Sequence, residues 1–492
     1  IGFYLLLMLA IGFYAYKKAT SNTEEFLLGG RKMGAAVTAL SAGAADMSGW
    51  LLMGLPGAMY MSGLSASWIA IGLTTGAFLN YVFVAPRLRI YTEVANNSIT
   101  LPVFFENRFK DKSRMLRIIS SVLILIFFTL YTSAGMVSGG RLFESSFNLD
   151  YTVGLFVTSL VVVAYTFLGG FLAVSLTDFV QGTIMVLALI VVPAVAVSAI
   201  GGVSETVQII ESKGTNYMDL FKGTTTISIF SLLAWGLGYC GQPHILVRFM
   251  AIDSVKDLPK ARRIGIGWMI FTVGGALSVG LIGIAYLMKF DSVAMLDFDA
   301  SKEKAETIFI HFTRVLFHPL ITGFLLSAIL AAVMSTISSQ LLVTSSSMTE
   351  DIYKAFIRRN SSDKELLIVS RVSVLVVAAI ALLLSLTPKD SILNLVGNAW
   401  AGFGSAFGPF ILLSLFWKRM NVPGGIAGML VGGGTVLLWV YAGLYETTGI
   451  YEMIPGFILS TLSIIIVSLV TKEPSKEVEK TFDEVNEDIK AL

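Results

Sequence analysis

Long apolar runs separated by short polar connections make up nearly all of this chain. Stretches long enough to cross a bilayer as helices recur thirteen times, at roughly 1–17, 34–60, 65–86, 117–140, 151–170, 177–200, 227–249, 264–288, 318–347, 366–387, 392–417, 423–443 and 453–471. No soluble domain stands between them. The sequence is 55% hydrophobic and 14% charged, against roughly 25% charged in soluble domains. The pattern predicts an all-α polytopic membrane protein. The first run opens at Ile1 without a methionine and reads as a first span trimmed at its N-terminus. Lys17 and Lys18 follow it and no small-residue cleavage site appears, so it does not read as a signal peptide.

The charges set an orientation. Connections after odd-numbered spans carry twenty-three Lys and Arg, from Lys17 and Arg31 through Arg248 and Arg263 to Lys418 and Arg419. The opposite connections carry eight, among them Arg141, Lys289, Arg314 and Lys389. The excess of basic residues belongs in the cytoplasm, which puts the N-terminus outside and the C-terminus inside. The connection from Lys289 to Arg314 is the longest external one and is placed to cover an outer vestibule. The tail 472–492 is charged and reads as a solvated segment, able to form a short surface helix. A net charge of +2 implies no nucleic-acid partner, and the lone Cys240 rules out an internal disulfide framework.

Span two holds the run AGAADMSGWLLMGLPG. An acid such as Asp46 inside a membrane helix costs roughly 2.5–3.5 kcal/mol and marks a functional site. Gly43, Gly49, Gly54, Gly57 and Pro56 invite the helix to break there. Span seven, AWGLGYCGQPHILVRFM, is interrupted in the same way by Gly236, Gly238, Gly241 and Pro243. The two are an odd number of spans apart, so they run in opposite directions. Matched interruptions in inverted halves point to a transporter's binding site. Span two starts in the cytoplasm, so carbonyls near Ala44 to Met47 end its first half and suit a cation. Amides beyond Ser48 begin its second half and suit a carboxylate, with Gly49 admitting a ligand close to the backbone.

Span nine, AILAAVMSTISSQLLVTSSS, puts Ala332, Ser335 and Thr336 within one or two helical turns. Neutral hard oxygens of this kind fit Na⁺, although small hydroxyl residues also serve helix packing. Trp50, Trp235, Tyr239 and Tyr131 cluster near the breaks, as walls for a compact solute with an ammonium group or as core packing. Asp178, opening span six, reads as a helix cap or as a station on the cation's route. Arg31, just before span two, is a positive-inside residue or part of a cytoplasmic gate. His244, His311 and His318 have no metal-ligand spacing, and no nucleotide loop or nucleophile–base pair is present, which argues against an enzyme.

In SAGAADMSGWLLMGLPGA, GGFLAVSLTDFVQG, WGLGYCGQPHILVRFM, AAVMSTISSQLLVTSSSMTEDIYK and NAWAGFGSAFGP the chain resembles the sodium/solute symporter family, specifically its bacterial sodium/proline symporters. The resemblance runs from the first span through the thirteenth. It implies a LeuT-type inverted-repeat (5+5) core, 34–200 and 227–417, with three additional helices at 1–17 and within 423–471, and a cytoplasmic tail 472–492. It further implies uptake of L-proline across the bacterial cytoplasmic membrane with Na⁺ as coupling ion, no organic cofactor and no obligate protein partner. Carried over residue by residue, Na⁺ would be held by backbone oxygens of Ala44, Met47 and Ala332 and hydroxyls of Ser335 and Thr336. Asp46 and Asp178 would contribute to sodium coupling. Proline would meet Ser48, Trp50, Gly54, Tyr131, Trp235, Tyr239 and Pro243. Cys240 stands where the resemblance leads one to expect an aromatic residue. Asp46, at the joint, reads more as organiser of the broken backbone through amide hydrogen bonds than as primary ligand. Symport of another small solute, coupling to H⁺, and a transporter-like sensor are the other readings. The roughly twenty residues after span thirteen leave too little for a kinase domain.

Overall fold

The structure, a computed structural model, describes residues 1–18, 23–214, 216–388 and 390–491. Lys389, counted above among the outer basic residues, lies outside them. Every regular element among the described residues is helical, apart from one isolated bridge between Met33 and Ile252.

The chain opens with α1 (Gly2–Lys18) and α2 (Ala35–Asp46), which ends at the first break. A π-helical turn, Trp50–Gly54, leads into α3 (Leu55–Ser62). Next, α4 (Ser67–Leu79) and α5 (Ala85–Val94) continue one another through a second π turn, Asn80–Val84. The short α6 (Leu101–Phe109) precedes α7 (Met115–Phe147) and α8 (Tyr151–Ile200). A straight helix as long as α8 would measure about 75 Å, over twice the ~30 Å hydrocarbon layer. It is bent instead at Gly170, whose φ of 55° and ψ of −144° only glycine adopts readily. The two apolar runs read at 151–170 and 177–200 are its two arms.

The second break follows the same logic as the first. α9 (Thr226–Leu233) tightens into a 3₁₀ segment, Ala234–Gly241, before Gln242 turns extended and α10 (Pro243–Ala251) begins. Pro243 takes the first helical position, where its missing N–H costs nothing. Gly76 and Gly236 meet backbone to backbone, with no room for a side chain on either, so α4 lies hard against this break. Beyond it come α11 (Leu258–Phe290), short helices ending in α12 (Ile308–Leu316), and α13 (Pro319–Ser346) with its π-helical extension Ser347–Ile357. The chain finishes with α14 (Asp363–Ser385), α15 (Ile392–Phe416), α16 (Val422–Tyr441), α17 (Met453–Val470) and α18 (Lys476–Lys490).

Among the described residues, 9 helical stretches are long and apolar enough to cross a membrane, and the first helix and 226–241 are shorter apolar ones. The number differs from thirteen because helices run on where hydropathy pauses, through 50–94 and 151–200, and because the breaks leave short pieces. α13 and α15 are sheathed by the other helices, with 72% and 83% of their apolar windows buried, whereas α17 is 28% buried and turns most of its surface outward. α8 packs on α1, α2, α7, α11 and α13, and so ties the first break to the centre. The tail is not merely solvated: α18 buries Val478, Phe482 and Val485 on one face.

Candidate cation and solute site

The site begins with a missing helical hydrogen bond. In α2 the Met47 amide still reaches the Gly43 carbonyl (3.0 Å), but the Ser48 amide turns to the Asp46 carbonyl (3.0 Å) instead of to Ala44. The Ala44 carbonyl accepts the hydroxyls of Ser335 (2.7 Å) and Thr336 (3.4 Å) from α13. Both hydroxyls also reach the Ala332 carbonyl, at 3.1 and 3.2 Å. Four of the five expected sodium oxygens therefore converge, all on buried residues. Met47, the fifth, sits in the turn itself at φ −84°, ψ 79°. Two carbonyls and two hydroxyls form an uncharged set of hard oxygens, suited to a monovalent cation. Among the described residues no cluster of His, Cys, Asp and Glu could hold a metal ion.

Asp46 gathers the aromatics. Its Oδ2 accepts the Tyr239 hydroxyl, and its carbonyl accepts Trp50 Nε1 (3.2 Å) and the Tyr131 hydroxyl (3.4 Å). The carboxylate thus joins the first break to the second through a phenol, not through backbone amides as expected. Asp46 Oδ1, Asn80 Oδ1 and the Tyr81 hydroxyl are buried without hydrogen-bond partners, and these residues line one cavity of about 30 Å³, enough for a water or two. Trp50 and Trp235 lie with ring centres 6.4 Å apart. Trp235 stacks on Tyr451 at 5.3 Å, and its carbonyl is held by Trp400 Nε1 at 2.8 Å. Ser48 is fully buried beside this group.

The other expected solute residues stand at its edges. Gly54 packs against Leu393, and Pro243 lines a separate cavity of about 20 Å³ with Phe171 and Val247. Gly49 does not leave backbone open to a ligand, because Ser138 and Val333 fill the space beside it. The Cys240 thiol is buried, its sulfur 3.0 Å from the Leu237 carbonyl.

Asp178 is not a cap. The second arm of α8 starts after Gly170, so this carboxylate lies two turns inside it. Its Oδ2 accepts the Ser41 hydroxyl (2.7 Å) and Arg248 Nη2 (3.2 Å). Arg248, counted above among the basic residues of an inner connection, is fully buried. It also donates to Ser41 Oγ (3.1 Å), Ser339 Oγ (2.6 Å) and the His244 carbonyl (2.8 Å). One knot therefore ties α2, α8, α10 and α13. Arg248 is the residue that sequence reasoning missed, and its signal was an arginine flanked by apolar residues on both sides in ILVRFMA.

Clamps close both ends. On one face Arg31 donates to the carbonyls of Met250 (2.6 Å) and Ser98 (2.7 Å) and to Asn97 Oδ1 (2.9 Å). Burial lowers its pKa to about 10, so it stays a cation at neutral pH. Arg89 Nε reaches the Ile252 carbonyl at 2.8 Å beside it. On the opposite face Glu306 accepts the amides of Ile392 (2.9 Å) and Leu393 (3.0 Å) and pairs with Arg141 at 3.0 Å. Burial pushes its carboxyl pKa up, against the pull of those two amides and of Arg141. Its backbone lies directly on Gly57.

Two helices broken at joints of carbonyls, hydroxyls and aromatic rings, clamped at either end, define a secondary transporter of the broken-helix kind. The chain belongs to the sodium:solute symporter family, which matches residues 26–432. It is 61% identical to the osmoregulated proline transporter OpuE of Bacillus subtilis, over 98% of this chain and 96% of that one. It is 58% identical to the high-affinity proline transporter PutP of the same organism, over 97% and 98% of the two chains. It is 53% identical to sodium/proline symporter 2 of Staphylococcus saprophyticus, over 99% and 95%. These relatives are transporters, not enzymes. In fold it resembles a substrate-bound, outward-open Na⁺-coupled sialic acid symporter, with TM-score 0.79 and 19% identity over 96% of this chain and 97% of that one. It also resembles Mhp1, a nucleobase-cation-symport-1 family transporter in a closed conformation, with TM-score 0.55 and 13% identity over 95% and 99%.

Proposed function

We propose that this protein carries L-proline into the bacterial cell together with Na⁺ by alternating access. The observation that carries the reading is the Ala44 carbonyl, freed by the break in α2 and met by Ser335 and Thr336 of α13. The names of its relatives, proline transporters and sodium/proline symporters, support the pair of substrates. In this reading the chain crosses the membrane thirteen times, N-terminus outside and C-terminus in the cytoplasm. Residues 34–200 and 227–417 form inverted five-helix repeats of LeuT type, with peripheral helices at 1–17 and 423–471 and the tail 472–492 inside.

Na⁺ replaces the hydroxyl protons as the partner of the Ala44 and Ala332 carbonyls, with Met47 adding its carbonyl. By bridging α2 and α13 it fixes the geometry of the joint. Proline's carboxylate then meets the amides beyond Ser48, and its ring lies among Trp50, Tyr131, Trp235 and Tyr239, with Gly54 and Pro243 at the margins. Asp46 and Asp178 act on Na⁺ from outside the four-oxygen group, the first through the joint and the second through Ser41 and Arg248. One Na⁺ moving down about 100 mV gains ~2.3 kcal/mol, and a tenfold gradient adds ~1.4 kcal/mol. Together they support accumulation of about 500-fold, so a single ion suffices.

Uptake of labelled proline into proteoliposomes under an imposed Na⁺ gradient, against an imposed pH gradient, tests this. Na⁺-driven uptake is expected. Uptake driven equally by pH without Na⁺ would move the coupling to H⁺, and no uptake of proline under either gradient would remove proline as the solute.

A further inference from the structure

The last helix, α18, lies against elements that carry none of the four site oxygens. Arg108 on α6 is 1% exposed, yet its Nη1 and Nη2 find no hydrogen-bond partner among the described residues, and only Nε donates, to the Ser414 carbonyl at 3.0 Å. A buried guanidinium without a carboxylate is costly unless something else faces it. Three rings do. Its charge lies 5.0 Å from the ring centre of Tyr91 on α5, 4.7 Å from Phe109 and 5.1 Å from Phe482, and the third ring belongs to α18.

Around this anchor the tail makes polar contacts to separate elements. Arg87 at the start of α5 donates to Asn486 (2.6 Å) and to the Leu415 carbonyl of α15 (3.3 Å). Lys418, just past α15, pairs with Asp483 at 2.6 Å and Glu479 at 4.0 Å. Lys110, just past α6, pairs with Glu477 at 3.3 Å. One helix thus spans α5, α6 and the end of α15. The first of these also carries Arg89, whose Nε holds the Ile252 carbonyl in the clamp described above.

We infer that α18 is a salt-sensitive strap, holding α5, α6 and α15 in their clamped positions and slowing the opening of this face. The anchor is a buried ring on a buried cation, which salt screens little. The fastening is a set of exposed ion pairs, with side-chain exposures of 41% and 54% for Lys418 and Asp483, and 47% and 71% for Lys110 and Glu477. Such pairs weaken as the screening length falls from about 10 Å at 0.1 M salt to about 3 Å at 1 M. Raised ionic strength on the tail side therefore loosens the strap and speeds the cycle. The inference rests on the chain being a Na⁺-coupled proline transporter only for its transport readout.

The experiment compares wild type, Phe482→Ala and the triple variant Glu477→Gln, Glu479→Gln, Asp483→Asn in proteoliposomes. The Na⁺ gradient is fixed and KCl is equal on both sides, raised from low to high. Wild-type initial rates are expected to rise about two- to fivefold as KCl screens the pairs. The variants are expected to be fast already at low KCl and to respond little. A second measurement does not depend on transport. In a Cys240→Ser background, spin labels at Asp488→Cys and Lys112→Cys should give a narrow distance distribution at low salt that broadens at high salt. Variants with wild-type rates and a wild-type salt profile would overturn the strap, as would a label distance that salt leaves narrow. Absence of proline uptake by wild type, with the label distances still responding to salt, would instead count against the transport reading alone.

Discussion

At the scale of single residues, what each oxygen contributes is set by where α2 stops. Because Ser48 bonds to Asp46 rather than Ala44, one carbonyl is left for two hydroxyls, and those hydroxyls are the replaceable part. Ser335→Ala with Thr336→Ala should raise the Na⁺ concentration for half-maximal uptake about tenfold or more, the equivalent of ~1.4 kcal/mol or more. The thermal stabilisation of the purified protein by Na⁺ should be lost with it, since an ion that binds only the folded state adds ~2.7 kcal/mol at 100 times its Kd. A double variant that Na⁺ still stabilises fully would place the ion elsewhere. Asp46 stands differently, with its carboxylate on Tyr239 and not on the four-oxygen group. Asp46→Asn should therefore weaken the Na⁺ response more than proline affinity at saturating Na⁺, and an unchanged Na⁺ half-saturation would contradict that. The aspartates were legible because an acid in an apolar run is conspicuous. Arg248 was not, because counting basic residues per connection takes each one as ending in water. Its partner makes a clean test: Arg248→Gln alone leaves a buried carboxylate unpaired, at a cost of ~3–5 kcal/mol. Arg248→Gln with Asp178→Asn should recover most of the lost melting temperature, even if transport does not return.

At the scale of elements, both breaks could be read from glycine and proline, which remove helical hydrogen bonds or side-chain bulk wherever they stand. The apolar runs on either side of Gly170, each one membrane thick, could be read as separate spans, but not that one helix continues from one to the other through a bend. What could not be read was which polar group would close over a joint. Glu306 lies in a connection that the sequence pattern marks only as long, with the count of basic residues assigning it to the outer side as an expectation. The structure makes it the cap of α15, the partner of Arg141 and the cover of Gly57. Glu306→Ala removes the acceptor of two amides and the partner of one arginine, so the neighbouring parts of α3, α7 and α15 lose their common tie. In a Cys240→Ser background, Leu393→Cys should then react with a membrane-impermeant maleimide several times faster than with Glu306 in place. An unchanged rate would mean that packing alone closes this end. The tail shows the opposite failure. Its charges suggested solvation, while Val478, Phe482, Val485 and Ile489 repeat at four, three and four, a single helical face that charge counting passed over.

At the scale of the whole molecule, hydropathy gave the all-helical membrane class but not the number of separate helices, because a helix continues through any polar gap that its backbone can bridge. The two clamps then set a balance that no single segment determines. Arg31 and Arg89 fasten one end and Glu306 the other, while the joint proposed to hold the cation sits between them. Loosening one end favours the arrangement open at that end, and a ligand that binds only the opposite arrangement sees its dissociation constant divided by the remaining competent fraction. Arg31→Ala should accordingly raise the external Na⁺ needed for half-maximal uptake although Arg31 touches none of the four site oxygens. If the competent fraction falls to about a tenth, the apparent affinity falls about tenfold. Glu306→Ala shifts the balance the other way, so the double variant should lie closer to wild type in Na⁺ dependence than Arg31→Ala alone. Additive losses in the double variant would show that each residue only supports its local structure. Partial restoration requires that the two ends, on opposite faces, bias one shared equilibrium.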